Sequence, residues 1–437
     1  MKKTKLPAKF WIALTVFSLI GQIAWVVENM YLNVFIYKMF NASASDISLM
    51  VAASAVAATV TTLIIGALSD KVGKRKIFIC GGYIAWGISI WSFALIRTDV
   101  IEKLFPSAVS AMSVGVSAVI IMDCVMTFFG SSANDACFNA WLTDSTDSTN
   151  RGSAEGINAM MPLVAILAVF GGFMPFDLSR SDSWTTIYTI IGTVVLAAGI
   201  LGIFLIKDPV TGTGSDGNYF RNIFYGFRPS VIRENRILYL TLAAFAVFGI
   251  SIQIFMPYLI LYYNVSLGME NYVLIMAPAI IIAAAVTLFY GRIYDKYGFR
   301  RSVIPVLGML SAGYIILFFF RQTVPVFIGS LLMMCGYLSG MTVFGAMLRD
   351  YTPPHRAGMF QGLRIVGQVL IPGIIGPAIG AAVLRNAGKT VNDDGTSSFI
   401  PNENIFLAAL VAAAVAIPIL LAVSGLLKKE RKNEEIR

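Results

Sequence analysis

Three ionisable side chains interrupt long apolar runs of the sequence: Glu28, Asp135 and Arg364. A charge held in hydrocarbon costs ~2.5–3.5 kcal/mol or more, so each is a functional candidate by default. Glu28 precedes Lys38 by ten residues, which at 1.5 Å per residue puts it roughly 15 Å inside the outer end of its run. Trp25 and Tyr31 flank it at i−3 and i+3, so a regular helix puts both rings on its face, available for stacking. Asp135 precedes Asp144 by nine residues and lies ~13 Å deep. Asn139 shares its face at i+4, and neighbouring Asn134 aligns with Phe138 and Trp141. Asp123, twelve residues further out, is placed at the external rim. Gln361, Arg364 and Gln368 stand at i, i+3 and i+7, a polar stripe whose arginine needs a counterion. Glu28 and Asp135 are the candidate proton carriers, and the amides, rings and arginine are candidate ligand-binding groups. The plainer alternatives are an interfacial Glu28, an Asp135 that locks spans together, and an Arg364 that snorkels to the surface.

These residues sit in elements that composition already defines. Of 437 residues 57% are apolar, about 249, and twelve spans of ~20 residues need roughly 240. Only 13% are charged, against about 25% in soluble domains, and the mean hydropathy is +0.76, which excludes a soluble fold. Apolar runs occur near 10–37, 46–68, 77–96, 117–142, 153–175, 184–206, 237–263, 272–290, 302–320, 325–348, 358–384 and 404–427. The first is too long for a signal-peptide core and is read as a retained span. Of 33 Lys and Arg, 25 fall on the side shared with the termini, 7 on the other, and Arg364 lies within a run. The split places both termini in the cytoplasm of a multi-pass cell-membrane protein and explains the +9 net charge without nucleic acid. Cys80, Cys124, Cys137 and Cys335 lie in apolar runs without metal-type spacing, and the only histidine, His355, is in a loop, so neither a metal site nor a histidine relay is indicated. No nucleotide-binding or hydrolase motif stands in a usable context, so an enzyme or ATP-driven pump is not indicated and no cofactor is expected.

The sequence also repeats. Gly66-Ala-Leu-Ser-Asp70-Lys-Val-Gly73-Lys-Arg75 recurs as Gly291-Arg-Ile-Tyr-Asp295-Lys-Tyr-Gly298-Phe-Arg300, 225 residues later. Asp144 to Arg151 corresponds to Asp350 to Arg356 with an offset near 206, and the difference of 19 residues is assigned to an external excursion over Thr98 to Val116. Two pseudo-symmetric six-helix bundles follow, 1–206 and 237–427, joined by a cytoplasmic linker at 207–236 and ending in a tail at 428–437. Glu28 maps onto Gln253, a carboxylate and its neutral isostere at symmetry-related depths.

The repeated loop resembles the one between spans 2 and 3 of the major facilitator superfamily. The resemblance implies an all-α membrane fold of twelve transmembrane helices that rocks between two access states. It also implies a gating role for Gly66, Asp70, Gly73 and Arg75 and for Gly291, Asp295, Gly298 and Arg300. A narrower likeness, Gly21-Gln22 through Tyr31-Leu32-Asn33 and Asn134 through Arg151, is to the glycoside, pentoside and hexuronide:cation symporters. In those symporters span 2 carries aspartates that form a sodium site, whereas Val51 to Leu68 holds no ionisable residue. Together these features imply proton-coupled symport of a sugar or glycoside by a monomer, with membrane lipid and no nucleic acid as surroundings. Trp25, Tyr31, Asn134, Asn139, Gln253, Gln361, Arg364 and Gln368 would contact the substrate. The competing readings are a drug:proton antiporter, which the Gly373 to Gly380 run with Gly376-Pro377 keeps open, and a sensor that moves nothing.

Overall fold

The computed structural model describes residues 6–106, 110–146, 150–208, 227–352, 362–391 and 397–436. Eleven helices are long and apolar enough to cross a bilayer. One of them, Val273–Phe319, runs 47 residues. That is ~70 Å, more than twice the ~30 Å of hydrocarbon. Its backbone leaves helical geometry at Gly298 (φ 74°, ψ 175°), so it is two spans, 8 (273–297) and 9 (299–319). The other crossings are span 1 (Ala8–Phe40), span 2 (Ala44–Val72), span 3 (Arg75–Phe93), span 4 (Ala111–Asp144), span 5 (Gly156–Phe173), span 6 (Ser181–Leu205), span 7 (Arg236–Ser266), span 10 (Thr323–Asp350), span 11 (Gly362–Leu384) and span 12 (Asn404–Glu430). The described residues thus supply the twelve membrane-length helices expected from composition.

The chain clusters into two compact units, residues 1–217 with 391–398, and 218–390 with 399–437. Local chemistry sets the span ends. Asn41, at φ 51°, closes span 1 in left-handed geometry, and two residues on a capping box opens span 2: the Asp46 amide donates to Ser43 Oγ at 3.2 Å and the Ser43 amide to Asp46 Oδ2 at 2.8 Å. Between spans 3 and 4 a short helix, Thr98–Leu104, lies in the expected excursion, beside Arg97, which pairs with Asp99 at 3.0 Å and Asp182 at 3.3 Å. Of the expected linker, 209–226 falls outside the described residues, and Pro229–Glu234 forms one short helix. The last helix runs on from span 12 to Ile436.

Helix contacts within each unit rest on small residues that let backbones approach. In the first unit Gly87 of span 3 meets the span 6 backbone: a Cβ there would stand 2.6 Å from Leu196 N and 2.7 Å from Gly192 O. In the second unit Gly313 of span 9 meets the span 10 backbone just as closely: a Cβ there would stand 2.5 Å from Met333 N and 2.8 Å from Gly329 O.

Four spans leave regular α geometry. Wide π turns occupy Val27–Tyr31 in span 1, Ser131–Phe138 in span 4, Tyr262–Ser266 in span 7 and Val366–Leu370 in span 11. Span 7 also tightens to a 3₁₀ turn at Met256–Tyr258, around Pro257. Such turns insert a residue into the helical register and recur at functional sites.

Candidate functional site

The π turn of span 1 carries Glu28. This carboxylate is 6% exposed and faces spans 2 and 4. Its Oε1 accepts from Ser54 Oγ at 3.0 Å and from Thr127 Oγ1 at 2.9 Å, while the two hydroxyls lie 2.8 Å apart. Its Oε2 is buried without a partner. Asp123, one turn from Thr127 on span 4, is 2% exposed, and its Oδ1 is also unpartnered. Asp123 interacts with Ser54 and lies near enough to Glu28 for their charges to repel. Asp123, expected at the external rim, is thus enclosed by protein beside Glu28. Span 4 is 34 residues long and begins at Ala111, so Asp123 stands twelve residues inside its outer end.

Both rings expected beside Glu28 are engaged by other aromatic residues. Trp25 is half-buried, 5.1 Å from the Trp86 ring at 50°, and its Nε1 has no partner. Tyr31 is fully buried against span 5, edge-on to Phe173 at 4.6 Å and to Phe170 at 6.0 Å. The extra residue of the π turn lies between Glu28 and Tyr31, so the i+3 rule of a regular helix does not hold there.

Asp135 sits within the π turn of span 4, half-buried, and its Oδ2 accepts from Ser131 Oγ at 3.0 Å. Its charge is felt at Glu28. Asn139 is exposed and donates to the Asp135 carbonyl at 3.2 Å. Asn134 departs from a substrate-facing role. It is 4% exposed and donates to the Tyr83 hydroxyl at 2.6 Å, and its amide fills the space above Gly21. That makes Asn134 a clamp between spans 1, 3 and 4.

The second unit contributes different groups. Gln253 is half-buried against Gly376, where any Cβ would overlap it. Arg364 is half-buried with an unpartnered Nε, and Gln368 has an unpartnered Nε2. No acidic side chain among the described residues forms an ion pair with Arg364. The π turn at Val366–Leu370 contains Gln368, so the stripe is not the continuous helical face its spacing implied. Gln361 lies outside the described residues.

The repeated loops differ in the same way. In the first, Gly73 closes span 2 at φ 69°, ψ 13°. Arg75 Nη2 donates to Asp70 Oδ1, its Nη1 to Ser69 Oγ at 2.5 Å, and its Nε to Asp144 Oδ2 at 3.2 Å. Asp70 is thus engaged by its own unit's arginine, and spans 2, 3 and 4 are tied at one point. Gly66 is half-buried upstream. In the second loop Gly291 has open space around it, Gly298 makes the turn, and Asp295 and Arg300 are exposed, with no ion pair among the described residues. There Tyr294 donates to Asp350 Oδ2 at 2.5 Å.

Comparison with known proteins agrees with this architecture. The sequence matches the family described as the Major Facilitator Superfamily over residues 10–377 and again over 281–436. Among solved structures, a variant of the nucleoside transporter NupG superposes with a TM-score of 0.71 at 11% identity, covering 95% of this chain and 98% of that one. A bacterial homolog of the human lysosomal transporter Spinster, inward-facing and occupied, gives 0.71 at 14%, covering 96% and 98%. The xylose transporter XylE from E. coli gives 0.67 at 12%, covering 94% and 98%. At these identities the likeness is one of fold. No curated protein matches the sequence. A family match across nearly the whole chain, on a fold of membrane-length helices, identifies the chain as a member of the Major Facilitator Superfamily, a multi-pass membrane transporter and not an enzyme.

Proposed function

We propose that the protein is a proton-coupled symporter of a sugar or glycoside, with Glu28 as the carboxyl that takes and releases the proton. The observation that carries this reading is the setting of Glu28. One oxygen is held by two hydroxyls from two other spans, the other has no partner, and no Lys or Arg among the described residues pairs with it. A carboxyl so placed carries its charge at high cost and sheds that cost on protonation. Asp135 stands close enough to modulate it. Trp25, Asn139, Gln253, Arg364 and Gln368 retain groups free to stack on or hydrogen-bond a polyol, whereas Tyr31 and Asn134 serve packing. A D-xylose–proton symporter shares the fold at 12% identity, with a TM-score of 0.71 and 94% of this chain covered, which supports the substrate class by analogy only. The loop motifs are the proposed gates, the protein acts as a monomer in the cell membrane, and its termini are cytoplasmic on the charge distribution.

The test is uptake of a sugar and glycoside panel into proteoliposomes under imposed proton or sodium gradients. The proton gradient should drive accumulation of at least one substrate. Glu28→Gln should lose accumulation against a gradient while binding survives. Accumulation that persists in Glu28→Gln overturns the assignment. Proton-driven export of cationic drugs, with no sugar moved, would favour antiport, the reading to which Gly376 and Gly380, pressed against the span 7 backbone, lend some support.

A further inference from the structure

Glu28 Oε1, Ser54 Oγ and Thr127 Oγ1 form a closed triangle with sides of 3.0, 2.9 and 2.8 Å. Each side is a hydrogen-bond length, and each needs a proton between its oxygens. The two hydroxyls bring one proton each. An ionised Glu28 brings none, so the three sides are one proton short. The shortage extends to the next acid. Asp123 is i−4 to Thr127 and on its face of span 4. Glu28 Oε2 and Asp123 Oδ1 are both buried with no donor. Both side chains are more than nine-tenths buried, and no cation among the described residues pairs with either.

Two neighbouring charges without a cation are the costliest arrangement a membrane interior can hold. Full protonation of both acids would leave two hydroxyl protons of the carboxyls competing for few acceptors. One proton meets both demands: it removes one of the two charges and supplies the missing donor. We propose that Glu28 and Asp123 titrate as a single site that holds one exchangeable proton, with Ser54 and Thr127 hydrogen-bonded to Glu28. The inference rests on Glu28 being the coupling carboxyl and adds a partner to it. The titratable groups facing the pair are Asp135, which acts on Glu28, and Tyr188 of span 6 and Cys124, which interact with Asp123. Tyr188 Oη is buried and unpartnered.

A carbodiimide that reacts with protonated, water-excluded carboxyls provides the test, applied to the purified full-length protein over a range of pH, with adducts on Glu28 and Asp123 counted by mass spectrometry. In the wild type the pair should saturate at one adduct per chain, a readout that needs no variant. In Asp123→Asn the Glu28 labelling curve should move to lower pH by at least about one unit, the interaction above which two groups titrate as a pair. Asp135→Asn should move it less, and Asp123→Glu, which keeps the second carboxyl, should retain the wild-type curve. An unchanged Glu28 curve in a folded Asp123→Asn protein, or two adducts per chain in the wild type, overturns the shared site. Sodium ions that suppress labelling of both acids at constant pH overturn it too, in favour of a metal-ion site. Labelling requires neither substrate nor gradient. A chain in which Glu28 labels with pH but ignores Asp123 leaves the transport reading standing, and a chain with the shared proton but no uptake leaves the site standing without that reading.

Discussion

Ser69 and Tyr294 occupy corresponding places 225 residues apart, each one residue before the aspartate of its repeated loop, and each points its hydroxyl at a different kind of partner. Ser69 accepts from Arg75, which also holds Asp70 and Asp144. Tyr294 bypasses the loop arginine and binds Asp350, the counterpart of Asp144, directly. Among the described residues one loop is therefore closed by a charge network across three spans, and the other by the Tyr294 hydroxyl, with Arg300 and Asp295 left exposed. The interiors differ in the same sense. The first unit buries Glu28 and Asp123 and half-buries Asp135. The second unit's buried polar pairs are hydroxyls, Ser251 with Tyr314 at 3.0 Å and Tyr263 with Ser330 at 2.6 Å. A duplicated scaffold keeps its sequence motif while the buried acids among the described residues lie in one copy, and the comparison predicts where equivalent substitutions have unequal effects.

The largest inequality is expected at the arginines. Arg75 is 12% exposed in its side chain and pairs with two carboxylates, themselves 38% and 27% exposed. Arg75→Ala leaves those acids facing one another with no cation, a cost of about 1–3 kcal/mol once their partial exposure is allowed for. Arg300→Ala, a surface change, should stay within about 0.5 kcal/mol. Cys80, Cys137 and Cys335 are buried free thiols, so a thiol-reactive fluorophore reads unfolding in both variants. Equal shifts in Tm would show that the two loops are closed alike.

The membrane-length helices and the repeated ten-residue motif are legible in the sequence, because hydrophobic length and a local motif are local signals. What escaped was register and tertiary contact. Glu28 and Asp135 were found because a charge in an apolar run needs no geometry to be conspicuous. Tyr31 departs from the face counted on a regular helix because the π turn at Val27–Tyr31 breaks that count, whereas Asn134 does share a buried face with Phe138 and Trp141 and is taken by the Tyr83 hydroxyl, a tertiary contact. The enclosure of Asp123 beside Glu28 is a tertiary contact, which spacing along span 4 does not carry. Tyr294 carried no signal, since a tyrosine one residue before the loop aspartate reads as an ordinary apolar position until Asp350 appears beside it.

The next inequality lies in the turn glycines. Both have positive φ, and a Cβ would meet nothing within 4 Å at either, so the comparison isolates backbone conformation from packing. Gly73, at φ 69° and ψ 13°, is in the left-handed helical region that asparagine also visits. Gly298, at φ 74° and ψ 175°, is in a region reserved almost wholly for glycine. Gly298→Asn should therefore cost about 1–3 kcal/mol, and Gly73→Asn well under about 1 kcal/mol. Comparable losses of Tm in the two variants would mean that the loops relax to a common turn once the glycine is gone.

The smallest effect tests the neutral closure itself. Tyr294→Phe removes one hydroxyl and leaves the ring, which is 9% exposed, in its packing. The bond it loses ends on a charged acceptor, for which about 1.5–3 kcal/mol is usual in a buried site. Asp350 is exposed, however, so water replaces the lost donor and about 1 kcal/mol or less should remain. Ser69→Ala removes the equivalent hydroxyl from the first loop, where Arg75 keeps both of its carboxylates, and should cost less still. If the second unit's loop is held by Tyr294, the phenylalanine variant should also raise the protease sensitivity of the segment around Gly298, with no change in the pH dependence of uptake. A change in that pH dependence would place Asp350 in the proton pathway, whose acids would then no longer lie in the first unit alone.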